Sequence, residues 1–103
     1  MVCEIIFRPA VKAEIEEAAK WYEDHRKELA QSSLEDLQAV LKAITSNPAI
    51  FQYVYSDVRK GSMKKFPYNI FYRHTDDKII IYMVLHQKRN PKVWKKAVRK
   101  RDY

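Results

Sequence analysis

A chain of 103 residues and 12.3 kDa has room for one ordinary core, so residues 1–103 are read as a single domain. Its 47% hydrophobic and 13% aromatic content excludes a disordered tail, and one glycine beside four prolines excludes collagenous or low-complexity sequence. The net charge of +7 is polarised: residues 1–52 hold six basic and nine acidic residues, net −3, whereas residues 53–103 hold fourteen and four, net +10, which points to a polyanionic partner.

Residues 2–8 are short and rich in strand formers, and Pro9 closes them, so an opening strand is expected. Cys3 within it reads as a small buried hydrophobe, and as the single cysteine it has no internal disulfide partner. From Ala10 to about Leu29 the pattern is helical, with Val11, Ile15, Ala18, Tyr22 and Leu29 on one buried stripe and the glutamates spread around the rest. Ser32 and Ser33 offer N-caps for a second helix, with Glu35 and Asp36 as capping-box partners. Its stripe is Leu34, Leu37, Val40, Leu41 and Ile44, and it ends by Asn47-Pro48. The short connection makes the two helices an antiparallel hairpin.

After Pro48 the period falls to two. A strand is expected around Val54–Lys65, interrupted by Gly61, and a second over Asn69–Thr75. Thr75-Asp76-Asp77-Lys78 is a tight turn. Ile79–His86 is apolar on both sides, the mark of a central strand covered on both faces. Asn90-Pro91 opens a short terminal helix with Val93, Trp94, Ala97 and Val98 able to pack. The expected architecture is α+β: an N-terminal strand, a helical hairpin, a three-stranded antiparallel meander and a C-terminal helix, the helices packed on one face of a four-stranded sheet. No apolar run approaches the roughly 18 residues of a membrane span. The N-terminus lacks the basic start and long apolar run of a signal peptide, and the three dispersed histidines lack zinc spacing. A cytoplasmic protein without membrane contact, metal or cofactor is therefore expected.

Several segments in this order resemble the RelE/ParE superfamily of small toxins from type II toxin–antitoxin modules, known also as plasmid stabilisation proteins. They are Val11-Lys12-Ala13-Glu14 through Ala18-Ala19-Lys20-Trp21-Tyr22-Glu23, Ile44-Thr45-Ser46-Asn47-Pro48 with Phe51, Val58-Arg59, Phe66-Pro67-Tyr68-Asn69-Ile70-Phe71-Tyr72, and Val84-Leu85-His86-Gln87-Lys88-Arg89-Asn90-Pro91 with Trp94. The resemblance covers nearly the whole chain and implies the RelE/ParE-like sandwich fold and a cognate antitoxin as partner. It implies one of two activities. The ParE branch poisons DNA gyrase without hydrolytic chemistry of its own; the RelE branch enters the ribosome and cuts mRNA. A third reading keeps the fold as an inactive interaction protein. Homodimer and toxin–antitoxin hetero-oligomer both stay open.

A metal-free endoribonuclease needs a group to activate the 2′-hydroxyl, a cation for the phosphorane and an acid for the leaving oxygen. If the chain is RelE-like, His86, Arg89 and Arg73 are the catalytic candidates. Lys60, Lys64, Lys65, Arg73 and Arg89 are the candidates for binding an anionic partner. On regular strands Lys60 and Lys64 share one face, Arg73 lies with Phe71 and Thr75, and His86 lies with Ile80, Tyr82 and Val84. The structural alternatives are a solvated steering edge for the lysines, an ion pair with Asp76 or Asp77 for Arg73, packing for Tyr68 and Tyr72, and core or interface anchors for Trp21 and Trp94. RelE-like nucleases follow their last-strand arginine closely with a tyrosine or end in a His-Tyr pair. Here Arg89 is followed by Asn90-Pro91, the next tyrosine is Tyr103, and His86 is followed by Gln87. The His86-x-x-Arg89 ending with Asn-Pro and Trp94 resembles the ParE-like branch, which is the closer of the two. Antitoxin docking is expected at the open sheet edge and on the hairpin of residues 10–47, by strand addition or helix-in-groove.

Overall fold

In the computed structural model the described residues are 4–88 together with Lys92 and Lys96. Strand β1 spans Glu4–Phe7, helix α1 Pro9–His25 and helix α2 Lys27–Ser46. Four strands follow: β2 Tyr53–Tyr55, β3 Val58–Ser62, β4 Tyr68–His74 and β5 Lys78–His86. Lys92 and Lys96 are helical, but the rest of the expected terminal helix, with Trp94, lies outside the described residues, as do Cys3, Arg89 and Tyr103.

Pro9 both ends the strand and begins the helix. Arg8 before it is held extended (ψ 149°), and the ring occupies the first helical turn, where the missing N–H costs no hydrogen bond. The helix boundary differs from the one expected. The chain breaks at Arg26 (φ −141°, ψ 67°), and α2 begins at Lys27, so Leu29 belongs to α2 and the two serines are interior. Ser33 is buried and its hydroxyl donates to the Ala30 carbonyl at 2.7 Å, as mid-helix serines do. No proline or glycine marks the break. What enforces it is packing, since Val11 and Tyr22 of α1 and Leu37, Val40 and Ile44 of α2 bury against the same sheet face.

The sheet has five strands in the order β1-β5-β4-β3-β2, with β1 parallel to β5 and every other pair antiparallel. The single strand expected over 54–65 is a hairpin instead. It turns at Ser56 (φ 51°) and Asp57, a left-handed position occupied by a residue that tolerates it only moderately. Gly61 interrupts nothing: it lies inside β3, where a Cβ would stand 2.9 Å from the Phe51 ring.

A bulge in β5 reassigns its faces. Phe71 pairs with Met83 and Tyr72 with Ile81, leaving Tyr82 as the extra residue. Ile79 and Ile81 therefore join the core under the helices, and beyond the bulge Val84 does so too. Ile80, Tyr82 and Met83 join Val58 and Phe71 in a second cluster on the opposite face. Strict alternation would place His86 with Ile80 and Tyr82; the bulge moves it to the helix side. Both faces of β5 are buried, and each fully buried isoleucine contributes about 1.5–3 kcal/mol.

Candidate functional site

The expected cations fall into separate places. Arg73 lies opposite Val58 and Ile80, and its Nε forms an ion pair with Asp57 of the β2–β3 turn, not with Asp76 or Asp77. Lys60 is mid-strand in β3, opposite Phe71. Both belong to the face that carries Val58 and Phe71. His86 ends β5 opposite Tyr68, at the other end of the sheet. Six residue steps along β5 lead from Ile80, the partner of Arg73, to His86, a run of roughly 20 Å. Arg73 and His86 cannot hold one phosphate.

Lys64 and Lys65 are not on a strand at all. They sit in the loop between β3 and β4, whose backbone wraps the carboxylate of Asp36. The N–H groups of Lys64, Lys65 and Phe66 donate to it at 3.4, 2.8 and 3.1 Å. Asp36 is buried on α2, so the residue that reads as a capping partner is the anchor that fixes this loop against the hairpin. The loop in turn delivers Lys65, Phe66, Pro67 and Tyr68 to a groove of about 540 Å³ at the end of the sheet, completed by Trp21, Arg26 and His86.

Trp21, read from sequence only as an anchor, is 49% exposed and stacks on His25 with ring centroids 4.4 Å apart. His25 Nδ1–H donates to the Trp21 carbonyl at 2.8 Å, which holds the stack in place. His86 meets Tyr68 edge-on at 5.2 Å, and its Nδ1 accepts the Lys88 N–H at 3.1 Å. That bond places the proton of the neutral imidazole on Nε2. Burial pushes the Tyr68 phenol up, with Tyr22 and Glu17 adding to the shift, so Tyr68 offers an uncharged hydroxyl at neutral pH. A second hollow of about 190 Å³ continues past Trp21 to Glu14 and Glu17. Glu14 Oε1 accepts the Val84 N–H at 3.0 Å, which satisfies β5 beyond the end of β1.

The arrangement suits recognition. Lys65 and Arg26 supply positive charge, His86 a polar imidazole edge, and Trp21 and Tyr68 aromatic surface. Arg26 is held by Glu28 at 2.9 Å. Among the described residues no cluster of three His, Cys, Asp or Glu could hold a metal ion, and no helix is long and apolar enough to cross a membrane. Two signals point to the groove in sequence, an aromatic beside the α1 stripe at Trp21 and the break at Phe66-Pro67. Neither identifies Arg26 or Asp36 as its supports.

A family model described as the ParE toxin of the type II toxin–antitoxin system parDE matches residues 5–91. Among solved structures, a chain of the chromosomal ParDE system from P. aeruginosa superposes with a TM-score of 0.72 at 15% identity, covering 82% of this chain and 96% of its own. E. coli toxin RelE, in a doubly arginine-to-alanine substituted free state, gives 0.63 at 16% identity, with 97% and 98% covered. The isolated E. coli RelE toxin gives 0.62 at 17%, with 97% and 99% covered. At these identities the likeness is one of fold. No curated protein matches the sequence.

Proposed function

The chain belongs to the ParE toxin family of type II toxin–antitoxin systems, and from that premise we propose that it is a toxin that binds and inhibits DNA gyrase and is neutralised by a cognate antitoxin. The observation that carries this reading over ribosomal mRNA cleavage is the separation of Arg73 from His86 by most of a strand length. Cleavage through the 2′-hydroxyl requires base, cation and acid gathered around one phosphodiester. A protein that acts by occupying another needs spread contacts instead, and exposed aromatic and basic side chains at one end of the sheet supply them. The antitoxin is a segment with acidic and apolar residues, matched to the groove of Trp21, Lys65 and His86 and to the hairpin above it.

The nuclease is the second reading, favoured by one observation: Lys65 and His86 share a groove. Inducing the chain alone in growing bacteria separates the two. Gyrase inhibition predicts that DNA synthesis stops before protein synthesis, with a DNA-damage response. Protein synthesis stopping first, with mRNA cut in the ribosomal A site, refutes it and makes His86 and Arg89 catalytic candidates. Unimpaired growth with folded protein leaves an interaction module. Cytotoxicity that survives combined alanine replacement of Arg73, His86 and Arg89 in a folded variant would remove the basic residues from the toxic surface.

A further inference from the structure

Strand β1 is a terminal strand of the sheet and pairs with β5 alone among the described residues. Glu4 N–H donates to the Asp77 carbonyl at 3.0 Å and Arg8 N–H to the Ile81 carbonyl at 3.2 Å. Backbone groups alternate along a strand, so the N–H and C=O of Ile5 and Phe7 point away from the sheet. Nothing in the strand's interior blunts that edge, since no charge, proline or bulge lies between Glu4 and Arg8. Phe7 is 43% exposed, beside a hollow of about 360 Å³ that it forms with Lys12, Ile15 and Glu16.

We propose that this edge pairs with a second copy of the chain, two β1 strands running antiparallel about a two-fold axis through Ile6. The strand is self-complementary in that register. Ile5 faces the partner's Phe7 as a hydrogen-bonded pair, so the outward N–H and C=O groups of both strands are satisfied. Glu4 faces the partner's Arg8, and the symmetry repeats the pair. The exposed Phe7 ring is covered by the partner's Ile5, and the order of Lys12 and Glu16 beside each hollow is likewise reversed across the axis. Registers centred on Ile5 or Phe7 also match outward groups with outward groups, but they leave Glu4 and Arg8 without each other. The two five-stranded sheets become one continuous sheet.

Sedimentation of the full chain from about 5 to 500 μM tests this, with 12.3 kDa expected to give way to twice that mass. Glu4→Arg and Arg8→Glu should each raise the dimer Kd about tenfold, because symmetry turns two attractions into two repulsions. The double variant should return to within about threefold of the parent, a rescue that a merely structural role does not give. In a Cys3→Ser chain, Ile6→Cys should form a disulfide dimer, since a non-hydrogen-bonded pair brings the Cα atoms to about 4.5 Å. Phe7→Cys should not. A monomer throughout the concentration range overturns the proposal, as does weakening without rescue. So does an edge that stays monomeric until an antitoxin segment is added and is then protected from hydrogen exchange.

Discussion

Replacing Asp36 with alanine removes the one acceptor shared by three backbone donors of the β3–β4 loop. A hydrogen bond to a charged group is worth about 1.5–3 kcal/mol net. The three do not add at that rate. The Lys64 bond is long at 3.4 Å, and Lys64 and Lys65 are exposed enough for water to take over. Phe66 is only 7% exposed, and its N–H would be left unmet. The expected loss is therefore about 2–4 kcal/mol, a fall in Tm of roughly 10–25 °C for a chain of this size. Asp36→Asn keeps one acceptor oxygen but turns an NH2 group toward the remaining donors, and should lose about half as much. Urea unfolding followed by far-UV circular dichroism gives both values. Hydrogen exchange should show lost protection at residues 64–66 before any global change. A loss below about 0.5 kcal/mol for Asp36→Ala, the range of an ordinary surface substitution, would refute the anchoring role.

Gly61→Ala should destabilise by about 1–3 kcal/mol, because the added Cβ meets the Phe51 ring at 2.9 Å, and Phe51→Leu in the same chain should recover much of it in thermal melts. Tyr72→Phe removes the hydroxyl that donates to the Pro48 carbonyl at 2.7 Å and should lose about 1 kcal/mol in urea unfolding. Burial raises the phenols of Tyr22, Tyr68 and Tyr72, so these three should ionise above the usual phenol range in an ultraviolet alkaline titration. A folded pKa above the unfolded value stabilises below about pH 10 and is lost as pH rises through the folded value, so Tm should fall on the alkaline side and fall less steeply in Tyr68→Phe.

The central strand, the meander and the hairpin were legible because burial wrote them as periodicity. IIIYMVLH declares a strand covered on both faces, and its residues divide between two buried clusters. The failures have physical causes. Glu23 to Glu28 are all compatible with helix, so the break at Arg26 carries no local signal, and the capping text at Ser32-Ser33 offers a plausible but wrong boundary. The turn at Ser56-Asp57 lacks glycine or asparagine, so β2 and β3 read as one strand. The bulge at Tyr82 is invisible in a run that is apolar throughout, yet it alone decides which face His86 shares. The candidate site inherited that error. Lys60, Lys64, Lys65, Arg73 and His86 are all basic and close in sequence, and only pairing register shows that they serve different ends of the sheet.

That separation has an electrostatic consequence. At about 0.15 M salt the screening length is near 8 Å, shorter than the run of β5 between the partner of Arg73 and His86. For a partner bound as proposed, the two basic regions would therefore act locally, while both would contribute to steering it from a distance. Around Trp21 the field is graded: Lys65 and Arg26 line one hollow, Glu14 and Glu17 the next. Glu14 is committed to the Val84 N–H, which leaves Glu17 as the acidic group that a partner reads. Under the proposed function, a segment lying across Trp21 would be oriented with its acidic end at Lys65 and its basic or neutral end at Glu17. The reverse orientation would set like charges together at both ends, so under the proposed function polarity as well as shape would discriminate between partners.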